Sequence, residues 1–230
     1  MNISTSLICC DLCDIKKDIN VLLENGFNWL HADFMDGHFV PRYGISPELI
    51  QSIHRYYGDK VIIDSHLMVD DPYTYADVIA PYSDWFMFHY EAVKDPFRTL
   101  QILRKNYPHL KIGLVFNLLT SNTTIDFVLN SLRDTGYIDG VMFMGISPGV
   151  LGTASMPNIV GEKLLYVKSF HPWCKTFVDG SVSFKTLPEY NAFGAHTVVC
   201  GSSTLFKNVA FDDTRTEKVI ENINKIKKLI

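Results

Sequence analysis

Ionisable side chains are concentrated at the ends of short apolar segments that are typical of buried strands. His31 and Asp33 lie two residues apart in one segment, and Asp64 and His66 repeat this arrangement in another. Residues two apart in a strand point to the same side, so each pair projects together. Asp179 closes a later apolar segment. The two imidazoles and two of these carboxylates, brought together from three strands, would suit a divalent metal ion such as Zn²⁺, Mn²⁺, Fe²⁺ or Co²⁺.

The strands that would carry these residues alternate with helical patterns along the whole chain. The predicted strands are Ile3–Cys9, Trp29–Asp33, Val61–Met68, Trp85–Tyr90, Lys111–Asn117, Gly140–Ser147, Thr176–Asp179 and Thr197–Gly201. Alternation of this kind indicates parallel strands with right-handed crossovers. The sequence therefore predicts an α/β fold, a single (β/α)8 TIM barrel spanning 1–230 as one domain. A doubly wound sheet is the alternative, but no Gly-x-Gly-x-x-Gly follows the first strand.

Composition restricts the classes of partner. Hydrophobic residues make up 47% and charged residues 20% of the 230 residues, as in globular proteins. A net charge of −4 argues against nucleic acid and against an anionic membrane. No apolar run has the length of a membrane span, and the start of the chain lacks a basic signal region, so we expect a cytoplasmic location.

Cysteine usage agrees with a reducing compartment. Five cysteines, an odd number, favour free thiols in the core over a disulfide framework. Cys10 and Cys13 have the spacing of a redox or zinc half-site, but no second pair matches them.

Longer motifs surround the candidate residues and occur in a specific order. They are His31-Ala-Asp-Phe-Met-Asp-Gly-His-Phe-Val-Pro41, Asp64-Ser-His-Leu-Met68, Phe88-His-Tyr-Glu-Ala92, Met144-Gly-Ile-Ser-Pro-Gly149, Val178-Asp-Gly180 and Gly201-Ser202. With these motifs the chain resembles the ribulose-phosphate 3-epimerase family over essentially its whole length. Further motifs look most similar to the allulose-6-phosphate 3-epimerase branch: Ile3-Ser-Thr-Ser-Leu-Ile-Cys-Cys-Asp-Leu12, Ile45-Ser-Pro47, Val178-Asp-Gly-Ser181 and Leu205-Phe206.

The resemblance implies a role for each residue of the candidate metal site. The implied ligands of one divalent ion are His31, Asp33, His66 and Asp179, and Asp33 and Asp179 are also the implied acid and base on opposite faces of the substrate. One carboxylate would remove the C3 proton and the other would return a proton to the opposite face. The cation would stabilise the cis-enediolate between these steps, and no organic cofactor is required. Asp64 is expected to support the site instead of ligating, and His89 either to support it or to pack in the core.

The resemblance also implies contacts with the substrate. Met35, Met68 and Met144 correspond to a methionine cap over the reacting carbons, and Ser6 to a substrate-contacting serine. For these four residues, ordinary packing in the core is the alternative. The phosphate is expected at backbone N–H groups of the last loops, where the candidates are Gly149, Gly152, Gly180, Ser181, Gly201 and Ser202.

Two features depart from the pattern of the family. Gly149-Val-Leu-Gly-Thr-Ala-Ser-Met156 replaces a Gly-Phe-Gly-Gly-Gln or Gly-Phe-Ala-Gly-Gln loop, and Arg42 replaces an asparagine. A loop of this kind covers the sugar and the phosphate, so its change bears on specificity. Arg42 is expected to be a solvated loop residue, with a substrate contact as the alternative.

The sequence thus predicts a metal-dependent ketose-phosphate 3-epimerase that interconverts D-allulose 6-phosphate and D-fructose 6-phosphate. One alternative is the same reaction on D-ribulose 5-phosphate, which gives D-xylulose 5-phosphate. A metal-dependent aldolase or decarboxylase on the same barrel is a second possibility, and a non-catalytic sugar-phosphate-binding protein is a third. The expected partner is a small sugar phosphate, and self-association into a homo-oligomer is expected because relatives associate.

Overall fold

Eight parallel strands close into a barrel in the computed structural model, which describes residues 1–150 and 155–230. The strands are β1 (Asn2–Ser6), β2 (Trp29–Met35), β3 (Ile62–Met68), β4 (Trp85–His89), β5 (Lys111–Phe116), β6 (Gly140–Met144), β7 (Lys175–Asp179) and β8 (Thr197–Cys200). Each strand pairs with the next along the chain, and β8 pairs with β1. The predicted α/β class and single (β/α)8 TIM barrel are confirmed.

Helices follow the strands around the outside of the barrel. Within the described residues they are α1 (Ile15–Glu24), α2 (Pro47–Tyr57), α3 (Ala76–Ile79), α4 (Pro96–Asn106), α5 (Asn122–Leu132), α6 (Pro157–Phe170), α7 (Leu187–Phe193) and α8 (Arg215–Lys227). Local sequence marks where several of them begin. Proline, whose fixed φ suits a first turn, starts α2, α4 and α6. Asp95 and Ser121 accept hydrogen bonds from backbone N–H groups in the first turns of α4 and α5.

Two predicted strands are too long by three residues at their carboxyl ends. β1 ends at Ser6 instead of Cys9, because Leu7–Cys9 form a 3-10 turn. β6 ends at Met144 instead of Ser147. The N–H of Gly145 still donates to the carbonyl of Asp179 at 2.6 Å, after which the chain leaves the ladder. The overrun arises because apolar composition continues into the turns that line the open end of the barrel.

The barrel interior is apolar in its amino-terminal half. Its buried side chains form one cluster, made of Trp85, Met87, Val115, Met142, Met144, Phe177 and Val199. Gly113 and Gly140 make room for the larger members. A Cβ at Gly113 would lie 2.9 Å from Cγ of Met87, and one at Gly140 would lie 3.1 Å from the ring of Trp85. This filling closes one end of the barrel, so polar side chains meet at the other end.

Two further expectations can be compared with the described residues. All five cysteines are free thiols, in agreement with the prediction from their number. In the part of the chain that the structure describes, no helix combines the length and the apolar character that crossing a membrane requires.

A buried ion pair ties the two ends of the chain together where the barrel closes. Arg215 at the start of α8 donates to the carboxylate of Asp18 in α1, at 2.7 Å for the closest contact. Both side chains are about 5% exposed or less. The same carboxylate accepts from the backbone N–H of Asp11, and Arg215 also donates to the carbonyl of Cys9. Neither charge has access to bulk water, so each depends on the other.

Removal of one partner of this pair should destabilise the barrel strongly. We expect Arg215→Met to lower the free energy of unfolding by about 3 kcal/mol, because Asp18 is left buried without its counter-charge. Urea denaturation followed by circular dichroism measures the change. Arg98→Met, at an exposed position in α4, is the matched control and should change stability little. Equal stability of the two variants would contradict this account of barrel closure.

Candidate active site at the carboxyl end of the barrel

The register of β2 against β3 brings the predicted site residues side by side. His31 pairs with Asp64, Asp33 pairs with His66, and the next residues in phase, Met35 and Met68, pair in turn. Both strands carry polar residues at alternate positions, so parallel pairing places these side chains on the inner face of the barrel.

Asp179 joins this group from the end of β7. His31, Asp33, His66 and Asp179 each offer one ligand atom, and these atoms all lie within 4.8 Å of one another. The four residues that the resemblance implies as ligands therefore converge. Asp64 stands outside the group that could hold a metal ion.

His31 is oriented by hydrogen bonds on one side of its ring. Its Nδ1 contacts the carboxylate of Asp64, whose other oxygen accepts from the hydroxyl of Ser4. Its Nε2 lies 3.1 Å from Oδ1 of Asp33 and 3.9 Å from Oδ2 of Asp179. With the Nδ1 proton donated to Asp64, Nε2 can present a lone pair to the space between the two other carboxylates.

His66 faces the same space with its Nδ1. This atom is 3.4 Å from Oδ1 of Asp33 and 3.5 Å from Oδ2 of Asp179. It is buried, and no described residue gives it a hydrogen bond of ordinary geometry. A buried polar atom without a partner needs a ligand, and two imidazoles with two carboxylates are a donor set that Zn²⁺, Mn²⁺, Fe²⁺ and Co²⁺ accept. These residues fit a divalent cation.

The carboxylates of the cluster favour positive charge beside them. Burial alone would lower the pKa of His31, but the carboxylates of Asp33 and Asp64 outweigh it and raise that pKa well above its usual value. Burial opposes ionisation of Asp33, yet His31 and His66 hold the pKa of this carboxyl well below its usual range. Burial raises the pKa of Asp64. The carboxylates thus recruit positive charge from the imidazoles, and a divalent cation would supply it instead.

The cluster opens into a cleft of about 790 Å³ at the mouth of the barrel. The predicted residues that line it are Ser6, Asp33, Met35, Met68, Met144, Gly149, Asp179, Gly180, Ser181, Gly201 and Ser202. Gly152, a further predicted phosphate-binding residue, lies outside the described residues. The hydroxyl of Ser6 donates to Oδ2 of Asp33 at 3.2 Å, so this serine is connected directly to the cluster.

Gly180 shapes the loop that follows Asp179. It has φ +106°, and a Cβ there would lie 2.7 Å from Cγ1 of Ile146. Ser181 follows with φ +52°, in a region that side chains other than glycine seldom adopt. The chain therefore turns sharply beside the carboxylate, and the turn requires glycine at its first position.

Charged residues that sequence reasoning missed also line the cleft. Lys185 and Glu189 belong to the loop and helix that follow β7, and neither was singled out. A basic residue six positions after Asp179 is a signal that a search of this loop for anion-binding groups would have found. Arg42 was expected to be a solvated loop residue, but it is half-buried and lines the cleft.

Comparisons with known proteins agree with this geometry. The family model described as "Ribulose-phosphate 3 epimerase family" matches residues 2–206. The ribulose-phosphate 3-epimerase of Escherichia coli strain K12 is 32% identical over 228 residues, which is 96% of this chain and 93% of that protein. The ribulose-phosphate 3-epimerase of Schizosaccharomyces pombe is 30% identical over 203 residues, which is 87% of this chain and 85% of that protein.

Solved structures share the fold at low identity. KGPDC from Streptococcus mutans, crystallised as a complex, superposes with a TM-score of 0.70 at 17% identity, over 99% of this chain and 98% of that chain. The 3-hexulose-6-phosphate synthase of Salmonella typhimurium gives a TM-score of 0.68 at 10% identity, over the full length of both chains. At these identities the likeness shows the barrel architecture alone.

Replacement of the acceptor beside His31 should weaken cation binding without disturbing the fold. We expect Asp64→Asn to lower the affinity for Zn²⁺ about tenfold, because a neutral amide orients and polarises the His31 ring less than a carboxylate does. Competition with a chromophoric chelator measures the affinity. Asp59→Asn, at an exposed position, is the control. An affinity like that of the unaltered protein would remove Asp64 from the site.

Proposed function

Because this chain belongs to the ribulose-phosphate 3-epimerase family, we propose that it is a metal-dependent epimerase that inverts C3 of a ketose phosphate. The proposed substrate is D-ribulose 5-phosphate, which is converted to D-xylulose 5-phosphate. One observation carries the proposal: Asp33 and Asp179 both line one cleft, and an oxygen of each carboxylate lies within 3.5 Å of Nδ1 of His66.

Inversion beside a ketone needs two proton-handling groups. One carboxylate removes the proton from C3, and the other delivers a proton to the opposite face of the planar cis-enediolate. Asp33 and Asp179 are proposed for these roles, since they reach the cleft from two strands that do not pair with each other, β2 and β7. A cation bound to Asp33 would keep this carboxylate ionised and so able to accept a proton.

The proposed cation ligands are His31, Asp33, His66 and Asp179. When bound there, a divalent cation supplies positive charge that stabilises oxygens of the substrate as negative charge develops on them. The residues of the chain position the ion, move the protons and bind the rest of the substrate.

Three methionines exclude water from the reacting carbons. Met35, Met68 and Met144 line the cleft, and the last two are at most 3% exposed. A thioether is apolar and polarisable, so it can pack on a planar intermediate without exchanging protons with it. In this proposal the three side chains keep protons from bulk solvent away from the enediolate.

The far end of the cleft is suited to a phosphate. Gly180, Ser181, Gly201 and Ser202 bring backbone to its wall, where N–H groups can donate to an anion. Arg42 and Lys185 add positive charge at the same mouth. The phosphate is therefore proposed to bind between the loops after β7 and β8.

The comparisons support the pentulose phosphate better than the hexulose phosphate that the sequence motifs favoured. The relatives at about 30% identity carry the name ribulose-phosphate 3-epimerase. An aldolase or decarboxylase needs a proton donor directed at a breaking C–C bond, whereas paired carboxylates suit transfer on two faces. A binding protein without catalysis would not need two acid–base carboxylates that face one cleft.

Proton NMR in D₂O tests the reaction and its substrate together. Protein loaded with Zn²⁺ or Mn²⁺ is expected to remove the C3 proton signal of D-ribulose 5-phosphate while D-xylulose 5-phosphate appears. D-Allulose 6-phosphate should exchange more slowly, and EDTA should stop both reactions. Asp33→Asn and Asp179→Asn should each reduce turnover by at least about a thousandfold, because each removes an acid–base group.

Each result of this experiment has a definite meaning. Faster exchange of the hexulose phosphate would overturn the proposed substrate and restore the allulose branch. No exchange of either sugar by metal-loaded protein would overturn the epimerase function. Unchanged turnover in both aspartate variants would overturn the assignment of the two carboxylates.

Arg42 offers a separate test of how the phosphate is bound. We expect Arg42→Ala to raise KM for the ketose phosphate about tenfold with little change in kcat, since a group that contacts a non-reacting phosphate contributes to uniform binding. Steady-state kinetics measure both constants. Arg55→Ala, on the exposed face of α2, is the control. An unaltered KM would return Arg42 to the role of a solvated loop residue.

A further inference from the structure

His66 has a partner on the side of its ring that faces away from the cleft. Its Nε2 lies 2.9 Å from Nε2 of His89, the last residue of β4, and both rings are fully buried. Two ring nitrogens at this distance share one hydrogen, so one of them donates and the other accepts. The direction of this bond determines where each ring carries its remaining proton.

The cation site fixes that direction. To bind a cation, Nδ1 of His66 must carry a lone pair, so the single proton of the neutral ring lies on Nε2. His66 then donates, and Nε2 of His89 accepts. The proton of His89 is consequently on its Nδ1, which faces Oε2 of Glu91 at 3.8 Å, beyond hydrogen-bond distance, and this buried atom makes no hydrogen bond of ordinary geometry with any described residue. Among the described residues, Glu91 provides the only carboxylate within 4 Å of His89.

Glu91 is held in place by its other oxygen. Oε1 accepts from the backbone N–H of Asn117 at 3.0 Å and from the hydroxyl of Thr120. Oε2 is left to face His89. The side chain of Glu91 is 26% exposed, so its charge lies at the surface while its orientation is fixed by the chain after β5.

The ring of Phe39 shields this arrangement from solvent. It packs on His89 with the two ring centroids 4.9 Å apart. The loop that carries Phe39 is itself fixed by Asp36, which accepts from the backbone N–H groups of His38, Phe39 and Asp70. Hydrogen bonds behind Phe39 therefore form in a water-poor environment, in which they are stronger.

We infer that His89 and Glu91 are positioning residues that hold His66 in the tautomer able to bind a cation. They act for His66 as Asp64 acts for His31, with an imidazole inserted between the ligand and the carboxylate. The inference rests on the proposed function in one respect, namely that His66 is a ligand. Partners of this kind orient the ligand ring and raise its basicity.

Glu91→Gln is the sharpest test. It keeps the shape and packing of the side chain, but it places a donor where Oε2 of Glu91 presents an acceptor to Nδ1 of His89. The amide oxygen can still accept from Asn117 and Thr120, so its NH₂ group takes the place of Oε2. That group donates to Nδ1 of His89, which moves the proton of His89 to Nε2. Nε2 of His89 then donates to His66, and His66 must carry its own proton on Nδ1, where the lone pair is needed.

The experiment measures metal affinity and tautomer in the full-length protein. Chelator competition with Zn²⁺ should show binding about 10–100-fold weaker in Glu91→Gln than in the unaltered protein. Two-dimensional ¹H–¹⁵N NMR of the imidazole rings in the Zn²⁺-loaded unaltered protein should show a protonated Nε2 and a bound Nδ1 for His66. Glu48→Gln makes the same chemical change at an exposed position in α2, and its affinity should not change.

A second pair of variants separates the relay from simple packing. His89→Gln can accept from His66 with its amide oxygen and donate to Glu91 with its NH₂ group, so it should retain most of the affinity. His89→Phe fills the space beside Phe39 but cannot accept a hydrogen bond, so it should lose affinity as Glu91→Gln does.

The possible results distinguish the relay from the site itself. If Glu91→Gln binds Zn²⁺ as tightly as Glu48→Gln does, the relay is overturned while the metal site stands. A protonated Nδ1 on His66 in the Zn²⁺-loaded protein would also overturn it. If the unaltered protein binds no Zn²⁺, the relay and the proposed metal site fail together.

Discussion

A buried imidazole can offer a lone pair to a cation only if its second nitrogen has an acceptor for the proton it carries. This requirement applies to both His31 and His66, because neither ring contacts water. The carboxylate of Asp64 meets it for His31. For His66 the neighbouring ring nitrogen of His89 is in place to meet it. The candidate metal site is therefore the inner part of a larger polar network, and the burial of that network is tolerable only if its members satisfy one another.

The barrel provides both the burial and the spacing that this network needs. Apolar side chains pack inside the barrel below the site. Above them, the parallel register of β2 and β3 sets Asp33 beside His66 and His31 beside Asp64. A shift of one residue in either strand would direct the two polar side chains of that strand towards the helices. Side chains of the site that are carried by strands are thus positioned more rigidly than side chains carried by loops.

Sequence reasoning was most successful where side-chain type and strand period agree. The barrel and its eight strands follow from the alternation of apolar strands with helical patterns, and polar residues at the strand ends were expected to meet in such a fold. The choice of Asp179 and not Asp64 beside His31, Asp33 and His66 came from the resemblance to the family. Arg42, expected to be a solvated loop residue, is half-buried and lines the cleft, because whether a loop side chain faces a cleft depends on where the loop folds and not on local pattern.

Glu91 was missed for a related reason. It becomes notable only when a second segment is brought next to it in the folded chain. This segment is the chain after β5, where Asn117 and Thr120 hold one oxygen and leave the other for His89. Contacts of this kind between distant segments have no signature in a local pattern.

Each motif that favoured a hexulose phosphate contains residues that pack in the core of the folded chain. Ile3, Leu7, Ile45, Val178 and Leu205 are at most 9% exposed and belong to the layer between strands and helices. Side chains in that layer cannot touch a substrate, so similarity there reports how two barrels pack and not what they bind. Both sugars undergo the same inversion at C3 and carry the same phosphate. Discrimination between the pentulose and the hexulose phosphate must therefore depend on groups that contact the sugar between C3 and the phosphate. The loops at the mouth of the barrel are where such groups would lie, and the charged residues of the cleft lining there include Arg42, Lys185 and Glu189.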